Sequence, residues 1–121
     1  MTGAYCNFIL SRERRLLLVP DAAFIATGRV PEGEALRASF DGAPDLAVEV
    51  VSPTDRLTQL DEKARTWLRF GARMVWVLNP RQRAVAVWMP DGAVRTLGSG
   101  EELDGGEVLP GFRIAVADLF G

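Results

Sequence analysis

The chain has 121 residues with 48% hydrophobic and 25% charged positions, which is the composition of one globular domain and not of a disordered segment. It has no histidine and one cysteine, Cys6, which excludes histidine-based triads, histidine zinc sites, an internal disulfide and a cysteine metal cage. The net charge of −2 gives no bulk support for tight nucleic-acid binding, and no apolar run approaches the about 18 residues that span a bilayer. Residues 1–11 lack the basic and long apolar stretches of a signal peptide, so a cytoplasmic protein without membrane contact is expected.

In chain order, Asn7 to Leu10 suits a short strand and Arg12 to Arg15 a polar turn. Leu16 to Ile25 reads as one long apolar strand interrupted by Pro20-Asp21, with Thr27-Gly28 as its stop. A loop starting at Pro31 ends in the turn residues Asp41-Gly42-Ala43-Pro44, and Leu46 to Val51 follows as a core strand. Ser52-Pro53-Thr54-Asp55 has the features of a helix start, with Ser52 as N-cap and Asp55 as the acid of a capping box. The helix is predicted to run to Phe70, stop at Gly71, and bury Leu57, Leu60, Ala64, Trp67 and Leu68. Met74 to Leu78 reads as a strand buried on both faces. Ala84 to Met89 and Ala93 to Leu97 form a hairpin around Asp91-Gly92. Gly98 to Gly106 is a predicted loop, and Val108 to Gly121 a tail that packs back on the sheet. This order implies an α/β domain over residues 1–121, a mixed sheet with a helical crossover between Val51 and Met74.

Two acids stand out because they lie among apolar strand residues. Asp21 interrupts the first apolar run, and Glu49 sits inside Leu46-Ala47-Val48-Glu49-Val50-Val51. A lone buried carboxylate costs several kcal/mol, so each needs solvent, a basic partner or a metal. Strand alternation puts Asp45, Ala47 and Glu49 on one face and Leu46, Val48 and Val50 on the other. Adjacent strands would bring Asp21 and Glu49 together, and hard oxygen ligands of this kind suit Mg²⁺ or Mn²⁺. A position at a sheet edge, or a pairing with one of the thirteen arginines, accounts for either acid taken alone. The one other basic residue is Lys63, on the flank of the buried helical stripe with Arg56 and Gln59. It is placed to reach a strand carboxylate, or else to extend past the core into solvent.

These residues carry a family resemblance. Val19-Pro20-Asp21-Ala22-Ala23-Phe24-Ile25, then Ala43-Pro44-Asp45-Leu46-Ala47-Val48-Glu49-Val50-Val51-Ser52-Pro53-Thr54-Asp55, then Lys63, resemble the signature of the Uma-two family. Val75-Trp76-Val77-Leu78-Asn79-Pro80 and Leu109-Pro110-Gly111-Phe112 fit the same pattern, so the resemblance covers nearly everything from Val19 onward. That family is assigned to the endonucleases of the PD-(D/E)XK, restriction-endonuclease-like superfamily. The resemblance implies Asp21 and Glu49 as Mg²⁺ or Mn²⁺ ligands, Lys63 as the third catalytic residue, and DNA as substrate. Ser52 and Gln59 are minor candidates for supporting hydrogen bonds.

The chain departs from the family pattern in two places. Val51 stands two residues after Glu49, where the superfamily has lysine, so Lys63 on the helix is the matching position. Only twenty residues precede Asp21, so the usual N-terminal core helix is expected to be absent. A bare sheet face would then favour a homodimer. The rival expectations are a catalytically inactive remnant acting as a protein-interaction module, and a nucleic-acid binder without catalysis. Arg12, Arg14 and Arg15 form the only basic cluster available to the latter.

Overall fold

β-Branched and apolar runs separated by turn residues set most of the strand positions. The computed structural model describes residues 2–4, 7–13, 16–29 and 39–121. Its strands are β1 (Thr2–Ala4), β2 (Asn7–Ser11), β3 (Leu16–Leu18), β4 (Ala22–Ile25), β5 (Ser39–Asp41) and β6 (Leu46–Val50). The helix α1 (Leu57–Arg69) follows, then β7 (Met74–Asn79), β8 (Ala84–Trp88), β9 (Val94–Leu97), β10 (Glu102–Asp104), β11 (Arg113–Ala115) and the short α2 (Val116–Leu119). Cys6, Arg14, Arg15 and the predicted loop start at Pro31 lie outside the described residues.

Six strands form the main sheet in the order β1-β4-β6-β7-β8-β9. Within this sheet, among the described residues, β6 and β7 alone run parallel, because α1 carries the chain back between them; the other neighbouring pairs are antiparallel. A three-stranded sheet β3-β2-β5 and a ribbon β10-β11 lie apart from it in pairing.

The predicted strand Leu16 to Ile25 is in fact two strands in two sheets. β3 pairs with β2, whereas β4 pairs with β1 and β6. Val19-Pro20-Asp21 breaks the run, since proline has no N–H for a ladder and fixes the local backbone. The helix start also differs from expectation. Ser52 to Asp55 closes a turn of its own: the Ser52 N–H donates to Asp55 Oδ2 at 2.8 Å, and the Asp55 N–H donates to the Ser52 carbonyl at 3.1 Å. That contact uses the acid locally, so α1 begins at Leu57 with Arg56 as an extended N-cap lacking a side-chain cap. The stop is as expected, with Gly71 at a φ of 114°, a left-handed conformation that favours glycine. The predicted loop Gly98 to Gly106 contains β10, which pairs with β11.

Both faces of the sheet are covered. On one face Leu60, Ala64 and Trp67 of α1 pack with Ala23, Ile25, Ala47, Val75, Val77 and Trp88, joined by Phe8 and Leu10 of β2. Full burial of a side chain such as Leu60 stabilises the fold by roughly 1.5–3 kcal/mol. Leu57 was expected in that stripe but is 55% exposed, because it opens the helix beyond the sheet contact. On the other face Leu46, Val48, Trp76, Val85 and Leu97 are covered by Leu103, Val108 and Val116, with Phe112 and Phe120 against them. The C-terminal tail therefore supplies the second layer that the homodimer argument had assigned to another copy.

Candidate active site

The site is built where β4, β6 and α1 meet. On β6 the pleat sends Ala47 and Glu49 toward α1, opposite Leu46 and Val48. Glu49 is 2% exposed, so its carboxylate depends on partners within the protein. Two come from α1. The Trp67 indole N–H donates to Glu49 Oε2 at 2.8 Å, and Lys63 Nζ lies 3.2 Å from each Glu49 oxygen. Lys63 and Trp67 are four residues apart, so one helical turn presents both donors side by side. Lys63 Nζ also donates to the Val19 carbonyl at 2.8 Å, which ties the helix to the break before β4.

Asp21 occupies that break and is exposed. The register pairs Ala22 with Val48, so Asp21 falls one step further on, beside Glu49. Its Oδ2 accepts the Val50 N–H at 2.7 Å, which fixes its carboxylate at the edge of β6. Burial pushes the Glu49 carboxyl above its ordinary value, against the Trp67 and Lys63 donors that favour the charged form; the nearby Asp21 charge pushes it further upward.

The three residues singled out from the sequence, Asp21, Glu49 and Lys63, thus lie together. Ser52 and Gln59 do not join them: Ser52 is engaged in its own turn, and Gln59 is exposed on α1. Two residues were missed. Trp67 was read only as core, although its spacing of four from Lys63 was visible. Asp45, a second buried acid at 4% exposure, takes the Ala26 N–H at 2.6 Å and Arg29 Nη1 at 3.0 Å on Oδ2. It is a structural anchor, whereas the arginine pairing weighed from the sequence concerned Asp21 and Glu49. The basic cluster expected at residues 12–15 is partly neutralised, since Arg12 pairs with Asp41 at 2.8 Å.

Among the described residues no group of three or more His, Cys, Asp and Glu side chains converges. A cation here would rest on Asp21, Glu49 and water. Two hard carboxylates would suit Mg²⁺ or Mn²⁺, which keep several waters, better than a zinc cage or a calcium loop. Among the described residues no helix is long and apolar enough to cross a membrane.

A crystal structure from Anabaena variabilis ATCC 29413, titled as "a putative nuclease belonging to DUF820", matches with a TM-score of 0.81 and 23% identity. The match covers 96% of this chain and 64% of that one, so this chain spans under two thirds of that protein's length. The likeness establishes the fold as a restriction-endonuclease-like mixed sheet with one main helix among the described residues. No curated protein matches the chain. The model of the Uma2 family, described as "Putative restriction endonuclease", matches residues 3–117. The sequence resemblance and the matched span agree, and the chain belongs to the Uma2 family.

Proposed function

We propose that this domain is a metal-dependent endonuclease that hydrolyses phosphodiester bonds in DNA. The observation that carries the reading is the convergence of Lys63 on Glu49 beside Asp21, across three separate elements. Family membership supports a nuclease, and the donor set supports the metal. Asp21 and Glu49 would hold Mg²⁺ or Mn²⁺, which when bound supplies phosphate polarisation and a more acidic attacking water. The Val50 N–H orients the Asp21 carboxylate, and Trp67 with Lys63 orients that of Glu49. Lys63 is half-buried, so its ammonium is close to solvent and placed to stabilise negative charge developing on the phosphate oxygens. A homodimer belongs to the same proposal. Its contact surface would be the exposed apolar Met89 and Val94, beside β9, which has no second partner strand among the described residues.

Supercoiled plasmid incubated with the purified chain tests the reading. Nicking that requires Mg²⁺ or Mn²⁺, stops with a chelator and is lost in Asp21→Ala is expected. Equal cleavage by wild type and Asp21→Ala would remove this site as its source.

A further inference from the structure

Glu49 is a poor metal ligand unless its carboxylate is held in one rotation, because a buried carboxylate surrounded by donors turns to the strongest of them. The two donors here differ in stiffness. Trp67 is fully buried, and its ring meets Phe8 edge-on with centroids 5.6 Å apart and an interplanar angle of 85°. An indole packed this way has no alternative rotamer without opening the core. Lys63 is a flexible side chain, 28% exposed, and lies at 3.2 Å from both oxygens without choosing between them. It also holds the Val19 carbonyl at 2.8 Å, a partner it keeps if it withdraws from Glu49.

The indole bond to Glu49 is not what every buried tryptophan in this fold obtains. Trp76 and Trp88 are 4% and 7% exposed, yet their Nε1 atoms have no hydrogen-bond partner. Of the three tryptophans, Trp67 alone is seen with a carboxylate acceptor among the described residues. That acceptor is one oxygen only, Oε2, at 2.8 Å. Oε1 is left with Lys63, which also serves the Val19 carbonyl.

We propose that Trp67 is a positioning residue, whose indole N–H commits Glu49 Oε2 and so presents Oε1 to a divalent cation shared with Asp21. The inference rests on the metal reading above. With a cation there, Lys63 would keep the Val19 carbonyl as a partner and Trp67 would keep Glu49 Oε2.

The test uses the full chain, Mg²⁺ alone as probe, and proton–nitrogen correlation spectra of the indole N–H groups. Donation to a carboxylate places the Trp67 indole proton downfield of those from Trp76 and Trp88, which serve as internal references. Glu49→Gln moves that resonance upfield and leaves the other two in place. Mg²⁺ added to wild type shifts it selectively. Trp67→Phe, whose ring can keep the edge contact with Phe8, weakens Mg²⁺ binding by calorimetry about tenfold or more, the usual cost of losing a partner behind a metal ligand. Should Trp67→Phe fail to fold, benzothienylalanine at the same position replaces only the N–H by sulfur and gives the same readout. Wild-type Mg²⁺ affinity in a folded variant lacking the N–H overturns the positioning role, as does a Trp67 resonance indifferent to Glu49→Gln. A wild type that shows the Glu49→Gln shift but no response to Mg²⁺ overturns the metal reading, and the positioning role with it.

Discussion

Of the two buried acids on or beside β6, Asp45 is the one whose removal is expected to harm folding and to leave the proposed metal site intact. Its Oδ2 accepts the Ala26 N–H at 2.6 Å and Arg29 Nη1 at 3.0 Å, with the Asp45 side chain 6% and the Arg29 side chain 41% exposed. Asp45→Ala leaves a backbone donor after β4 without its charged acceptor, which costs about 1.5–3 kcal/mol. The ion pair with half-exposed Arg29 adds up to about 1 kcal/mol. The expected loss is therefore roughly 2–4 kcal/mol, or a fall in Tm of about 10 °C for a chain of this length. Asp45→Asn keeps an oxygen for the Ala26 N–H and loses only the charge, so it should cost about 1 kcal/mol. Thermal unfolding followed by circular dichroism measures both variants, and calorimetry with Mg²⁺ should show unchanged binding in each. An Asp45→Ala variant melting with the wild type would refute the anchoring argument. Loss of Mg²⁺ binding in Asp45→Asn would move that residue into the metal site.

Lys63→Arg should fold normally and lower plasmid cleavage on the order of a hundredfold, since a planar guanidinium does not replace a compact ammonium between Val19 and Glu49; full cleavage would count against its role. The raised carboxyl of Glu49 means that the folded chain binds this proton more tightly than the unfolded chain does. Its stabilising contribution is thus complete below the ordinary value of 4.5 and is lost as pH rises through the folded value. Urea midpoints of wild type should fall with pH relative to those of Glu49→Gln over that window, and parallel curves would contradict the shift. For the dimer, light scattering at micromolar concentration should give a mass near twice 13.2 kDa, and Val94→Lys should halve it. A wild-type mass that stays near 13.2 kDa across that range would refute the dimer.

Much of the site was legible in the residues because its chemistry conflicts with its surroundings. An acid inside Leu46 to Val51 and another beside Pro20 cannot be explained by packing alone, and Lys63 is the only lysine. Period-two alternation also placed Glu49 with Ala47, and the clusters on the two sheet faces show that division. Local hydropathy failed where the answer depended on what lies across the sheet. Leu16 to Ile25 is one apolar run in the sequence, but β2 and β6 claim its two ends for different sheets. Ser52 and Asp55 have helix-capping chemistry, yet their mutual hydrogen bonds close a separate turn.

Residue order and side-chain chemistry thus decided the family, the mixed sheet with its crossover helix, and the short list Asp21, Glu49 and Lys63. Tertiary packing decided what each acid meets: Trp67 and Lys63 for Glu49, the Val50 N–H for Asp21, and Arg29 with the Ala26 N–H for Asp45. It also decided that the tail after β9 covers the second sheet face. The physical reason is that periodicity reports the direction in which a side chain points, whereas a hydrogen-bond partner from another element exists only once the two elements have packed.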